Sequence, residues 1–225
     1  MQLENFIVWR KTDFEREYQR TEDPWSTKTG LIEHFRLKKL YQMISTGKFN
    51  NKRILDIGCG EGVFTQQILK MADVVVGVDI SETAVARAKE DVPDGFFKVG
   101  DIVSIDFEEK SFDLVLCLEM LYYLSAQERR QVLERIYFLL TDSGCLLLSA
   151  PVRGRQYFKM SQLKKLIENS GFKILKCKVI SIPFPLQLIP QMIQKWLYTT
   201  CLSIANLARY PVYQVGILAR KVARS

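Results

Sequence analysis

The sequence predicts an α/β protein with a doubly wound, mostly parallel sheet, and three observations support this prediction. Between Lys52 and Ile80, a short apolar strand leads into a glycine-rich turn, a helix and a second apolar strand (KRILDIGCGEGVFTQQILKMADVVVGVDI). Strand and helix patterns then alternate up to residue 150, an order typical of parallel sheets. Candidate strands such as FDLVLCLEML are apolar almost throughout, which indicates a sheet covered by helices on both faces.

The apolar periodicity places the individual elements along the chain. Strands are predicted at 53–58, 74–79, 95–99, 112–118, 143–150, 172–181 and 212–221. Helices are predicted at 13–20, 31–43, 62–71, 81–90, 125–139 and 161–170. Ser81 is the expected N-cap of its helix, and Ser125 with Glu128 matches a capping box, so two helix starts are clearly marked.

The chain of 225 residues is long enough for one sizeable core, and we predict a single domain over residues 1–225. Residues 1–50 are expected to form a helical cover, and residues 182–211 a helical insertion before the last strand. After three prolines, the insertion carries an apolar stripe with helical spacing: Met192, Ile193, Trp196, Leu197, Cys201, Ile204, Ala205 and Ala208. Three interpretations stay open: a packed helix or dimer contact, a lid over an acceptor pocket, and an interfacial membrane helix.

Charge is distributed unevenly along the chain. The net charge is +7, but residues 54–150 hold 8 basic and 17 acidic residues. Residues 151–225 hold 13 basic residues and a single acid, Glu168. A basic C-terminal third fits either plain solubility or attraction to an anionic acceptor or a membrane surface.

Composition disfavours several classes of protein. The chain has no run of 18 uncharged apolar residues, and its start, MQLENFIVWRKTDFERE, has no apolar signal region, so we expect neither a membrane span nor a secretory signal. The five cysteines form no CxxC pair, and the chain has one histidine. We therefore expect reduced thiols, no metal site and a cytoplasmic protein, with peripheral membrane contact as an open alternative.

The glycine-rich turn predicts a nucleotide site. Gly58, Gly60 and Gly62 follow the first strand, where glycine lets the backbone turn tightly and approach a ligand. Asp79 ends the second strand and can accept hydrogen bonds from two ribose hydroxyls. The spacing is GxGxG, whereas the dinucleotide-binding fingerprint is GxGxxG. The turn by itself does not exclude a dinucleotide as the ligand.

Two more carboxylates, Asp101 and Glu119, follow the third and fourth strands at the rim of the same crevice. With these residues included, the chain resembles the class I S-adenosylmethionine (SAM)-dependent methyltransferases over residues 52–150. The resemblance is carried by LDIGCGEG, VVGVDIS, VGDI, FDLVLCLEML and LLTDSGCLLLSAP. Within that superfamily, DPW (23–25), EMLYYL (119–124) and ILAR (217–220) resemble the nodulation (NodS)-type small-molecule N-methyltransferases. Residues 182–211 depart from this group, so its sugar-amine acceptor is not carried over.

The resemblance implies both a fold and a cofactor. The fold is a Rossmann-like, three-layer αβα arrangement around a seven-stranded, mostly parallel sheet with an antiparallel last strand. The cofactor is SAM, and the residues implied in binding it are Trp25, Arg36, Asp56, Gly58, Cys59, Gly60, Asp79, Ile80, Asp101, Ile102 and Leu118. By the same resemblance, the turn would face the methionine part, Asp56 its ammonium group, Asp79 the ribose, and Asp101 with Ile102 the adenine. Arg36 or Lys38 would reach the methionine carboxylate.

The implied activity is methyl transfer to nitrogen or oxygen of a small molecule, apolar or glycan-like, with nitrogen slightly favoured by the tyrosine pair. Such a displacement mainly requires alignment of nucleophile, methyl and sulfur. The candidate catalytic residues are His34, Glu119, Tyr122 and Tyr123. Because the two tyrosines are adjacent, we expect at most one of them to face the cleft.

Two alternatives to small-molecule methylation stay open. One is an RNA methyltransferase, although the fourth strand ends in CLEM (117–120), without the Asn/Asp-Pro-Pro-aromatic motif used on a flipped base. The other is a non-catalytic, SAM-binding protein at the membrane periphery.

Overall fold

The computed structural model of the chain describes residues 8–45, 52–152, 157–181 and 213–223. Over these residues the helices are α1 (Lys11–Arg20), α2 (Leu31–Ser45), α3 (Val63–Ile68), α4 (Glu82–Asp91), α5 (Ala126–Leu139) and α6 (Met160–Asn169). The strands are β1 (Arg53–Ile57), β2 (Val74–Asp79), β3 (Phe96–Val99), β4 (Phe112–Leu118), β5 (Leu140–Val152), β6 (Phe172–Ser181) and β7 (Tyr213–Lys221). Short 3-10 turns lie at Leu69–Met71 and Leu121–Tyr123. The predicted helical insertion, 182–211, lies outside the described residues.

The strands form a seven-stranded sheet in the order β3-β2-β1-β4-β5-β7-β6. The pairs from β3 to β5 are parallel, whereas β7 is antiparallel to both of its neighbours. The predicted Rossmann-like sheet with an antiparallel last strand is therefore confirmed. The strand order reverses between β1 and β4, and in such sheets ligands bind beyond the carboxyl ends of the strands at this point.

Two apolar clusters cover the two faces of the sheet. On one face, Val132 and Ile136 of α5 and Leu163 of α6 pack against the strands. On the other face, Leu40 of α2 and Phe64 of α3 do so. Strands buried on both faces have no polar side to alternate with, which explains their nearly continuous apolar sequence.

Most element boundaries differ from the predictions by one or two residues, and two differences have a clear structural reason. The predicted helix 62–71 is α3 followed by a 3-10 turn, and it starts after Gly62, whose φ of 77° lies in the left-handed region. The fifth strand begins at Leu140 instead of residue 143, because Leu140 pairs with Phe112 ahead of a register shift in the β4–β5 ladder.

Both predicted helix caps are present. The Ser81 hydroxyl accepts a hydrogen bond from the Ala84 amide at 3.0 Å. Ser125 and Glu128 form a reciprocal capping box, in which the Glu128 amide donates to the serine hydroxyl and the Ser125 amide donates to the glutamate carboxylate. Each cap satisfies amide groups that the first turn of its helix leaves unpaired.

Candidate functional site

A cavity of about 350 Å³ opens at the carboxyl edge of the sheet, next to the β1–β4 reversal of strand order. Its volume lies in the range of small-molecule sites. The residues following β1, β2, β3 and β4 form its floor, and residues from α1, α2 and the connection between them form its roof. The N-terminal residues and the α/β body therefore enclose one space.

The glycine-rich turn after β1 forms one wall of the cavity. Gly58, Gly60 and Gly62 have φ angles of 71°, 53° and 77°, in the region that favours glycine. At Gly60, an added Cβ would lie 2.6 Å from the Tyr18 hydroxyl, so only glycine fits beneath α1. The Gly58 amide donates to the Val78 carbonyl at 2.8 Å, as does the next amide at 3.1 Å. The turn thus lets a ligand come close to its backbone, and the amides of Gly58 and Cys59 attach it to β2.

Asp79, at the end of β2, is hydrogen-bonded directly to this turn. Its two carboxylate oxygens accept hydrogen bonds from the Gly60 and Ser81 amides, each at 2.9 Å. Burial raises the pKa of Asp79 above its ordinary value, and these amide donors oppose that rise. Each oxygen keeps further capacity to accept, so the carboxylate is oriented and still able to bind a diol.

Asp56 and Asp101 lie at other points of the same cavity. Asp56 is buried in β1 and accepts a hydrogen bond from the Thr65 hydroxyl at 2.7 Å. Burial raises the pKa of Asp56 to about 7. Asp101 follows β3, is exposed, and accepts from the Val103 amide at 2.9 Å. Asp56 is therefore shielded from water, whereas Asp101 is in contact with it.

Arg36 and Glu119 line the cavity, and each buries one side-chain atom that makes no hydrogen bond. The Arg36 guanidinium is buried and lies 2.5 Å from a Glu33 oxygen through Nη2. Its Nη1 lies 3.8 Å from Oε1 of Glu119, and neither of these two atoms has a hydrogen-bond partner. The other Glu119 oxygen accepts from the Gln214 amide at 3.0 Å. Buried polar atoms seldom stay unpaired, so both atoms are suited to contact a ligand.

Aromatic side chains form the roof. Trp9, Phe14 and Tyr123 pack together with ring centroids 5.0 to 5.1 Å apart, and Trp25 packs on Tyr18 at 5.0 Å. A hydrogen bond from the Trp9 amide to the Tyr123 carbonyl, 3.1 Å long, holds the N-terminal residues against the 3-10 turn after β4. This packing gives the cavity an apolar upper wall.

The expectation that at most one of the adjacent tyrosines faces the cleft is wrong. Tyr122 and Tyr123 both line the cavity. In the 3-10 turn their rings pack 4.3 Å apart, with their hydroxyl oxygens 3.4 Å from each other. Ring packing within the turn keeps both side chains on the same side.

The structure places His34 and Lys38 away from the site. Both side chains are exposed on α2 and neither lines the cavity, since the buried face of α2 carries Arg36 instead. His34 therefore has no position from which to act as a base. The remaining predicted site residues all line the cavity: Trp25, Arg36, Asp56, Gly58, Cys59, Gly60, Asp79, Ile80, Asp101, Ile102, Leu118, Glu119, Tyr122 and Tyr123.

Sequence reasoning missed several lining residues, among them Gln214, Phe14 and Tyr18. The i, i+4 spacing of Phe14 and Tyr18 could have predicted an aromatic face on α1. No local signal marks Gln214, because only the pairing of β7 with β5 brings it to Glu119.

The cavity is predominantly acidic. Seven carboxylates and three basic side chains line it within the part of the chain that the structure describes: Glu33, Asp56, Glu61, Asp79, Asp101, Glu119 and Glu128 against Arg10, Lys11 and Arg36. Such a site favours a cationic ligand. In the same residues no group of three or more His, Cys, Asp or Glu side chains could hold a metal ion, and no helix is long and apolar enough to cross a membrane.

Residues 54–144 match the family described as "Methyltransferase domain". Over these residues the chain is similar to methyltransferase domains. Its curated relatives include nodulation protein S of Azorhizobium caulinodans, 30% identical over 132 residues, which cover 57% of this chain and 63% of the relative. A ubiquinone biosynthesis O-methyltransferase of Coxiella burnetii is 28% identical over 123 residues, which cover 53% of this chain and 50% of the relative. The chain thus matches only about half to two thirds of the length of these relatives.

Solved structures with the same fold cover more of the chain. The N-methyltransferase NodS from Bradyrhizobium japonicum, in complex with S-adenosylhomocysteine (SAH), has a TM-score of 0.72 at 18% identity, covering 94% of this chain and 97% of NodS. A didemethyltoxoflavin N1-methyltransferase from Burkholderia thailandensis has a TM-score of 0.67 at 18% identity, covering 95% and 87%. The [4+2]-cyclase SpnF has a TM-score of 0.63 at 17% identity, covering 84% and 81%. The resemblance to SAM-dependent methyltransferases, and within them to NodS, that the sequence predicts is confirmed. The predicted cofactor, SAM, is supported by solved neighbours with SAH or SAM bound.

Proposed function

We propose that the protein is a cytoplasmic enzyme that transfers the methyl group of SAM to a nitrogen or oxygen atom of a small-molecule acceptor. The observation that carries the proposal is the convergence of Asp56, Asp79, Asp101 and Glu119, from four neighbouring strands, on the same cavity. Free thiols at all four cysteines of the described residues suit a reducing compartment.

The residues of the cavity fit the parts of SAM. Asp79 would accept from the ribose hydroxyls, and Asp101 from the adenine amine, with Ile102 packed beside the base. Asp56 would face the ammonium group, and Nη1 of Arg36, which makes no hydrogen bond, would hold the methionine carboxylate. When bound, SAM supplies a methyl group on a positively charged sulfur. The seven lining carboxylates favour that cation, and the backbone at Gly58 leaves room for the methionine chain.

The acceptor would lie between the aromatic roof and the end of β4. Oε1 of Glu119 can accept a hydrogen bond from an N–H or O–H group and so aim that atom at the methyl group. Tyr122 and Tyr123 present ring faces and hydroxyls on the same side, which suits a neutral amine that gains positive charge as it is methylated. The relatives named for N-methylation and for ubiquinone biosynthesis support a small molecule.

The proposal is tested with purified protein and SAM labelled in its methyl group. A low-molecular-weight extract and, separately, total RNA of the source cells serve as acceptor pools, with Asp79→Ala as the control. We expect label in the small-molecule pool only, and none with the control. Because a [4+2]-cyclase shares the fold, label transfer is the deciding readout. Label in RNA would assign an RNA methyltransferase, and SAH binding without any transfer would assign a non-catalytic protein.

A further inference from the structure

Four basic side chains of the two strands at one edge of the sheet point to the same side. Lys173 of β6 lies opposite Arg220 of β7, and directly paired residues of antiparallel strands share a face. Lys178 pairs with Gly216, and an added Cβ at this glycine would contact Met43 and Leu40 of α2. Lys176 pairs with Leu218, which belongs to the apolar cluster under α2. All four basic residues are therefore on the α2 side of the sheet.

The helix α2 adds two more basic residues to this surface. Lys38 and Lys39 are exposed on α2, as are the four basic residues on the strands. We call these six residues the basic face: Lys38, Lys39, Lys173, Lys176, Lys178 and Arg220. β6 and β7 contain no Asp or Glu. The acid of α2, Glu33, is turned inward to Arg36, and the acid of α6, Glu168, lies on a helix that packs on the opposite face of the sheet.

We propose that the basic face docks on an anionic membrane surface. Each Lys or Arg near an anionic bilayer strengthens binding about fivefold, so six such residues on one face can hold the protein there. Leu175, at the bulge between Ile174 and Lys176, is 41% exposed among the lysines and can enter the headgroup layer. Among the described residues, Tyr41 of α2 lies one turn from Lys38, and it is half-buried against the core. The basic face therefore offers little exposed ring surface on which a base could stack, which favours a bilayer over single-stranded nucleic acid.

The rest of the molecule supports this orientation. Residues 54–150, with 17 acids against 8 bases, would be repelled by an anionic bilayer and turn away from it. The same elements connect the basic face to the cavity. α2 places Arg36 at the cavity and Lys38 on the outside, and β7 lines the cavity with Gln214 near its start and reaches Arg220 near its end. Docking would therefore bring the cavity near a source of apolar acceptors, although the docking itself does not depend on methyl transfer.

The test is co-sedimentation of the full chain with vesicles of phosphatidylcholine alone or mixed with phosphatidylglycerol. We expect binding only to the mixed vesicles, weakening as salt is raised. Lys173→Glu/Lys176→Glu/Lys178→Glu should lower the affinity at least about a hundredfold, since three attractive charges are lost and three repulsive ones are added. The matched control is Lys89→Glu/Lys98→Glu/Arg130→Glu, which makes the same charge change at exposed residues of α4, β3 and α5. It should keep affinity within a few-fold, because those residues lie outside the basic face.

Several results would overturn the proposal. Wild-type protein that fails to bind the mixed vesicles, or that binds phosphatidylcholine equally well, would do so. Equal loss in both triple variants would show a general effect of net charge, and tighter binding to labelled single-stranded RNA than to vesicles would assign a nucleic-acid surface. SAH affinity is measured for every variant. A variant that still binds SAH is folded. Loss of vesicle binding in such a variant is therefore a failure of docking and does not count against the proposed function.

Discussion

Glu119 holds its carboxylate over the cavity by an uncommon backbone conformation. Its φ of 54° is left-handed, a conformation that costs a non-glycine residue on the order of 1 kcal/mol or more. One carboxylate oxygen accepts from Gln214 and the other faces Arg36 without a hydrogen bond. Burial raises the pKa of Glu119, and the positive charge of Arg36 counteracts this rise. Such strain persists only where the surroundings enforce it, and here it aims a carboxylate at the site.

Glu119→Gln should lower the rate of methyl transfer about a hundredfold, in the range lost when a group that handles the acceptor proton is removed. SAH affinity, measured by calorimetry, should change much less, since the amide still fills the site. Glu128→Gln is the matched control. Glu128 also lines the cavity but pairs with Arg10, and glutamine preserves its capping box. Equal effects of the two changes would contradict a role for Glu119 at the acceptor.

Asp79→Ala should lower SAH affinity by at least about a hundredfold, because two hydrogen bonds to a charged group are lost. The measurement is isothermal titration calorimetry, with circular dichroism to show that the fold is kept. Asp94→Ala, a change at an exposed residue away from the cavity, should bind SAH as the wild type does. Unchanged affinity in Asp79→Ala would refute the assignment of the ribose to this residue.

At the scale of elements, α4 holds the N-terminal cover in place. Glu15 of α1 accepts hydrogen bonds from the hydroxyls of Ser81 and Thr83, at 2.7 and 2.5 Å. Arg87 of α4 donates to the Tyr18 carbonyl at 2.8 Å and to Glu61 at 3.1 Å. It also donates to the carbonyls of residues 21 and 22, just beyond α1. These contacts place the aromatic roof over the cavity.

Arg87→Ala should loosen α1 without unfolding the sheet, because the carbonyls at the end of α1 lose a charged donor. We expect faster amide hydrogen exchange in α1 and weaker SAH binding. Each hydrogen bond lost with the guanidinium should lower the free energy that holds α1 against α4 by at most about 1.5–3 kcal/mol. Lys89→Ala, an exposed change on the same helix, should alter neither quantity. Uniformly faster exchange in the sheet as well would show that Arg87 supports the whole fold instead.

At the scale of the whole molecule, burial of carboxylates makes stability depend on pH. Burial raises the pKa of Asp56 from the ordinary value of 3.8 to about 7, so the folded protein holds this proton more tightly than the unfolded chain. Between about pH 4 and pH 7, the Asp56 contribution to the free energy of unfolding therefore falls as pH rises, and above about pH 7 it stays low. This loss of stability at higher pH is the consequence of burying the Asp56 carboxyl away from water.

Asp56→Asn should remove this part of the pH dependence. At pH 8 the variant should be more stable than the wild type by up to about 4 kcal/mol, and the difference should shrink as pH falls towards 4. Urea unfolding at several pH values measures it, and Asp94→Asn, at an exposed position, should follow the wild type. A difference that does not change with pH would show that Asp56 is not protonated in the folded state.

Much of the fold could be predicted because its signals are local. Apolar runs, the glycine turn and the Ser81 and Ser125 caps involve residues close in sequence, and the strand–helix alternation leaves few arrangements of a parallel sheet. The floor of the cavity follows from the same signals. Asp79 and Asp101 end or follow parallel strands, and the carboxyl ends of parallel strands meet at one edge.

The rest depended on contacts between distant parts of the chain. The hydrogen bond from Gln214 to Glu119 joins residues 95 positions apart, and it exists only because β7 inserts between β5 and β6. Likewise, α2 could present either His34 or Arg36 to the cavity, and packing against the sheet selected Arg36. Local sequence thus determined the elements and the acidic floor of the cavity, because backbone preferences act over a few residues. Tertiary packing decided the aromatic roof, the contact between Gln214 and Glu119 and the basic face, because side chains far apart in sequence have to share one surface.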